Sequence, residues 1–161
     1  MSVSEAPITF LEVAGLSRCP PFVRDRVFLC ALAAGSAVWM IWAFITPVAP
    51  LSWSRLSSFL FLSVALWQPL VEELLFRGVI QGTLSRAGWR RELGAGMTIA
   101  NVATSVLFVA GHLLTHPLLW ALSVLFPSLL FGVMRDRFHS TYPAIALHVF
   151  YNTGYFLLAG T

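Results

Sequence analysis

Three long stretches of this chain contain no Asp, Glu, Lys or Arg: residues 27–54, 93–134 and 138–161. A helix that crosses a bilayer needs about 20 mostly apolar residues. The first and last stretches each have room for one such helix, and the middle one has room for two. Residues 53–84 form another long helical run, longer than one crossing needs, with Pro69 inside it as an expected kink. Only 11% of the residues are charged, against about 25% in soluble domains. The fold class that follows is all-α, a polytopic transmembrane helix bundle with about five core spans. These are expected near 27–46, 53–84, 97–114, 118–134 and 142–158.

Turn signals separate the spans: Thr46-Pro47 and Pro50, the polar link 86–92, Thr115-His116-Pro117, and Arg135-Asp136-Arg137 read as an exposed loop. Residues 1–26 read as an N-terminal interfacial lead and 27–161 as one transmembrane domain. The lead carries Glu5 and Glu12 and lacks an apolar core with a cleavage site, so no cleavable signal peptide is expected. Cys30 reads as a small buried hydrophobe, and its spacing from Cys19 suggests neither a disulfide nor a metal site.

All ten basic residues are arginines, and the net charge is +3. They flank the apolar runs rather than forming a soluble basic face, which argues against a nucleic-acid partner. With five spans, the clusters Arg18/Arg24/Arg26, Arg86/Arg90/Arg91 and Arg135/Arg137 all fall on one side. The positive-inside rule makes that side, and the N-terminus, cytoplasmic and places the C-terminus outside.

Charge inside the spans is costly, so an ionisable residue there is a functional candidate by default. Glu72 and Glu73 are adjacent in the second run, with Arg77 four residues after Glu73, the spacing of an intrahelical ion pair. His112 lies in the third run, and His148 and Asn152 share a face of the fifth. Counting 1.5 Å per residue from the arginine-rich side puts Glu72 and His112 about 21–22 Å deep and Asn152 about 15 Å deep. His148 lies somewhat shallower, so one intramembrane level can gather all four. A carboxylate beside a histidine suits the activation of water. His148 and Asn152 can donate hydrogen bonds to an oxyanion, while Glu73 and Arg77 fit a supporting structural pair.

Three motifs stand in order on these helices: Glu72-Glu73-Leu74-Leu75-Phe76-Arg77, Phe108-Val109-Ala110-Gly111-His112 and His148-Val149-Phe150-Tyr151-Asn152. The set resembles the CAAX-protease and bacteriocin-processing family of glutamic intramembrane endopeptidases, over about residues 56–158. The resemblance implies that Glu72 and His112 activate the water and that His148 and Asn152 form the oxyanion site. It also implies that 27–161 is a catalytic domain. The substrate would be a membrane-associated protein or peptide with a C-terminal processing segment. The chain is shorter than the eukaryotic prenyl-protein endopeptidases and looks more like compact bacterial relatives linked to C-terminal protein sorting. That points to the bacterial cytoplasmic (inner) membrane.

Other readings remain beside this one. Glu72, His112 and His148 suffice in principle for a zinc site with an open water position, but there is no His-Glu-x-x-His, so no cofactor is expected. A non-catalytic membrane scaffold or bacteriocin-immunity protein is the main alternative. A transporter fits less well, because five short spans show no inverted halves. Asn152 has a plainer reading as a polar bond between helices. His116 and His139 read as loop-edge residues. Gly78, Gly82, Gly111 and Gly132 read as places of close helix contact.

Overall fold

The computed structural model describes residues 9–48 and 53–159. Pro50 and the first eight residues of the lead, including Glu5, lie outside the described residues. The chain forms a helical bundle: α1 (Phe10–Val13), α2 (Arg26–Ile45), α3 (Trp53–Leu56), α4 (Phe59–Arg86), α5 (Ile99–His112), α6 (Leu118–Phe138) and α7 (Tyr142–Ala159). A small antiparallel hairpin, β1 (Glu92–Gly94) with β2 (Met97–Thr98), links α4 to α5. Three helices, α2, α4 and α6, are long and apolar enough to cross a membrane by length and composition. The shorter apolar helix α5 and the polar-bearing α7 complete the five helical runs expected from the sequence.

Helices α2, α4 and α5 start where a short polar side chain satisfies their first free N–H groups. Asp25 Oδ1 accepts from Val27 and Phe28, Ser58 Oγ from Phe61, and Thr98 Oγ1 from Asn101. Helix α6 is the most enclosed of the three long helices, with 33% of its span buried against 17% for α2 and α4. It packs on α5 and α7. The apolar core joins Phe28 and Ala31 of α2, Phe131 and Met134 of α6, and Ala144 and Leu147 of α7. Other apolar side chains point outward, Phe44 being 90% and Phe59 87% exposed, as a lipid solvent permits.

Pro69 does not break α4. Leu62–Trp67 is wound as a π-helix, with Gln68 N–H bonding Ser63 O five residues back. In that register the next carbonyl, Val64 O, faces residue 69, which as proline has no N–H to offer. A second π stretch, Leu74–Gln81, follows. Glu72 and Glu73 therefore sit on the last turn of the short α-helical piece between two π segments, an arrangement frequently found at functional sites.

Four expectations are corrected. Arg135-Asp136-Arg137 is not an exposed loop but the last turn of α6. Arg135 is buried there, donating through Nε to Arg77 O and through Nη2 to Val13 O. The residues after α1 also dock: Thr141 binds Ala14 O and Gly15 O, and Ser140 binds Arg18 O. Cys30 is exposed rather than buried, because in lipid an apolar run no longer has to face inward. The second run is interrupted at Ser57-Ser58, where α3 ends and Ser58 caps α4. Gly111 has open space around it, whereas a Cβ at Gly82 would strike Val13 O and one at Gly132 would strike the Asn101 side chain.

Candidate active site

Helix α4 contributes Glu72, Glu73 and Arg77, α5 contributes His112, and α7 contributes His148 and Asn152. The two carboxylates have different surroundings, as expected for neighbours about 100° apart on a helix. Glu73 is fully buried. Its Oε2 lies 3.2 Å from Arg77 Nε, the expected i,i+4 pair, held by charge rather than by a well-aligned hydrogen bond. Its Oε1 lies 2.9 Å from His148 Nδ1. The Arg77 side chain is also fully buried. Its Nη2 donates to Ser128 O at 3.0 Å and Ser128 Oγ at 2.9 Å, while the guanidinium lies over the rings of Phe108 and Phe131. A buried ion is costly unless it is paired and hydrogen-bonded; Glu73 supplies the charge and α6 the hydrogen bonds to Nη2, while Nη1 has no hydrogen-bond partner among the described residues.

Glu72 keeps 29% of its side chain exposed, and its Oε2 lies 3.7 Å from His148 Nε2. The His148 ring thus bridges the two carboxylates, Nδ1 to the buried Glu73 and Nε2 to the accessible Glu72. It is stacked on Phe131 at 4.8 Å and meets Phe108 edge-on at 6.1 Å. The Phe108 ring also packs on His112, at 4.4 Å, so one aromatic ring serves both histidines. His112 is the last residue of α5. Its Nδ1 lies 2.9 Å from Phe108 O. A carbonyl only accepts, so Nδ1 carries the hydrogen and Nε2 is left as the reactive nitrogen.

Asn152 stands apart from this network. Its Nδ2 donates to Val64 O at 3.0 Å, the carbonyl that Pro69 leaves without a backbone donor. One amide hydrogen therefore serves as a helix-to-helix bond, and a primary amide has a second. His148 is likewise committed through Nδ1, so only Nε2 remains to it. The structure brings Glu72, Glu73, Arg77 and His148 into direct contact and places His112 beside them across Phe108. Asn152 is one turn along α7, bonded to the first π segment.

Sequence reasoning missed Ser128, the anchor of Arg77; Phe131, the platform under His148; and Trp120, whose ring stacks on His116 at 3.9 Å and lies 5.7 Å from His112. Ser128 and Phe131 act across helices, so nothing in their spacing marked them, whereas the i,i+4 spacing of His116 and Trp120 was a signal that could have been read. His116 is exposed and bonds Thr115 Oγ1, and His139 ends α6 in a left-handed conformation. Among the described residues no group of three or more His, Cys, Asp or Glu is arranged to hold a metal ion.

The family model of type II CAAX prenyl endopeptidase Rce1-like proteins matches residues 54–154. The chain belongs to that family. Its members are CAAX intramembrane proteases, so by class this is a membrane-embedded peptide hydrolase acting on a protein substrate. The matched segment holds every candidate residue named above. No curated protein and no solved structure matches the chain significantly.

Proposed function

We propose that the protein is a glutamic-type intramembrane endopeptidase that cleaves near the membrane-associated C-terminal segment of its substrate, with Glu72 activating the water. The observation that carries this is the asymmetry of the carboxylates. Glu73 is buried and neutralised by Arg77, whereas Glu72 is accessible and has a histidine at 3.7 Å. Glu72 takes a proton from water as the water oxygen attacks the carbonyl carbon, and His112 Nε2 shares the proton relay. The C–N bond then breaks as the proton passes to the leaving nitrogen. His148, held by Glu73, turns Nε2 from Glu72 to donate to the oxyanion when its ring is protonated. The second amide hydrogen of Asn152 is the other donor. Glu73 and Arg77 are positioning residues. No metal takes part in this scheme.

The same reading places the chain in a bacterial cytoplasmic membrane with its N-terminus inside, supported by the one-sided arginines. The test compares the C-termini of membrane proteins, by mass spectrometry, in cells with and without the protein. The cleaved peptide is then assayed with purified enzyme. Glu72→Gln and His112→Ala are expected to lower the rate about 10²–10⁴-fold with thermal stability retained, and dialysis against chelator to leave it unchanged. Cleavage by Glu72→Gln at the wild-type rate would sink the assignment. Loss on chelation with rescue by zinc would replace it with a metal mechanism.

A further inference from the structure

A cavity of about 780 Å³ lies away from Glu72, at the Arg86 end of α4. Arg18, Arg86, Arg90 and Arg135 line it, together with two carboxylates, Glu12 and Asp136. Both acids are already engaged. Glu12 accepts from the backbone N–H and hydroxyl of Thr9, and Asp136 Oδ2 accepts from Thr98 Oγ1 at 2.7 Å. Among the described residues none of the four arginines has a carboxylate within ion-pair distance. The wall therefore holds four cations against two anions.

Arg135 sharpens the point. It is only 8% exposed, and its donors reach two neutral backbone carbonyls, those of Arg77 and Val13. Burying a guanidinium without a counter-charge is costly. Three further arginines, exposed at its rim, line the same space. Guanidinium groups form paired hydrogen bonds to phosphate oxygens, and Ser17 and Ser85 add hydroxyls to the lining. Basic pockets between helices at the membrane face are suited to phosphate head groups.

We infer that this cavity is a binding site for a phosphate-bearing anion, gripped by Arg18, Arg86 and Arg90 and neutralising the buried Arg135. The phosphate belongs either to an anionic lipid head group or to a free ion, and two arms separate these sources. In the first, the full chain in nonionic detergent is titrated with phosphatidylglycerol or phosphatidylcholine of the same acyl chains, and bound lipid is counted by native mass spectrometry. In the second, inorganic phosphate is titrated against the thermal midpoint.

A lipid site gives at least tenfold tighter binding of phosphatidylglycerol than of phosphatidylcholine. A free-ion site gives a saturable rise in midpoint with phosphate and no lipid preference. In either case Arg86→Gln/Arg90→Gln, at two exposed positions, removes the effect. Arg24→Gln/Arg91→Gln loses the same charge at residues outside the lining and retains it. The inference is overturned if neither probe binds, or if the Arg24/Arg91 pair loses binding as fully as the Arg86/Arg90 pair, which would mean diffuse attraction to a basic surface.

Discussion

Replacing Arg77 by methionine keeps most of the side chain's bulk and deletes its charge. Glu73 would then remain fully buried, with His148 as its one remaining polar contact, and Ser128 would lose both bonds from the guanidinium. Breaking a buried pair by removing one partner costs about 3–5 kcal/mol, because the other charge is left uncompensated. For a chain of this size each kcal/mol moves the thermal midpoint by about 2–4 °C, so the midpoint should fall by about 6–20 °C. Most of that loss is the stranded carboxylate, so removing it as well should restore stability. Glu73→Gln/Arg77→Met is therefore expected to melt higher than Arg77→Met alone. The assay is thermal unfolding of the four proteins of the cycle in one detergent, followed by tryptophan fluorescence. If the double variant loses the sum of the two single losses, the pair is not coupled. The assignment of Glu73 as Arg77's neutralising partner then fails, and the division of labour between the two glutamates fails with it.

Three more outcomes follow from other parts of the bundle. Asn152→Ala should cost about 1–3 kcal/mol by leaving Val64 O unpaired, but much less in a Pro69→Ala background, where residue 69 regains an N–H for that carbonyl; a thermal double-mutant cycle measures the difference. Gly154→Ala would drive a Cβ into the Trp39 indole and should lower stability by about 1–3 kcal/mol in the same melts, whereas Gly111→Ala, with nothing near it, should not. Hydrogen bonds from Arg137 hold the Asp25 carboxyl below its ordinary 3.8, so its contribution is complete above that value and lost as pH falls through the lower folded value. The midpoint gap between wild type and Asp25→Asn should therefore be constant from neutrality to about pH 5 and close in stronger acid.

Much of this was legible in the sequence because two of its signals are local. Charge-free length marks helices suited to a bilayer, and the i,i+4 spacing of Glu73 and Arg77 forecasts their contact. What stayed hidden depends on how helices register against one another. The bridging position of His148 needs α7 to pass beside α4 at one particular height. Counting 1.5 Å per residue does not give that height, because two π stretches change the rise and rotation of α4. Arg135 read as loop because charge ordinarily ends a span. The carbonyls that accommodate it, Val13 O and Arg77 O, are 122 and 58 residues away in sequence. Cys30 read as core because apolar residues usually hide from solvent, and here the expected solvent is lipid.

The docking of the N-terminal segment also sets an order of assembly. Val13, Ala14 and Arg18 leave the ribosome well before the side chains that bind their carbonyls, which belong to Arg135, Thr141 and Ser140, 122 to 127 residues later. During synthesis these carbonyls must stay hydrated until α6 and the start of α7 have emerged. Their closure precedes the contacts that the rest of α7 makes through His148, Tyr151 and Asn152. Once made, it ties the segment around Val13 to the same arginine that grips the backbone of α4. Protection of the Thr141 amide, which donates to Gly15 O, would therefore report whether the segment after α1 has docked in a nascent or refolding chain.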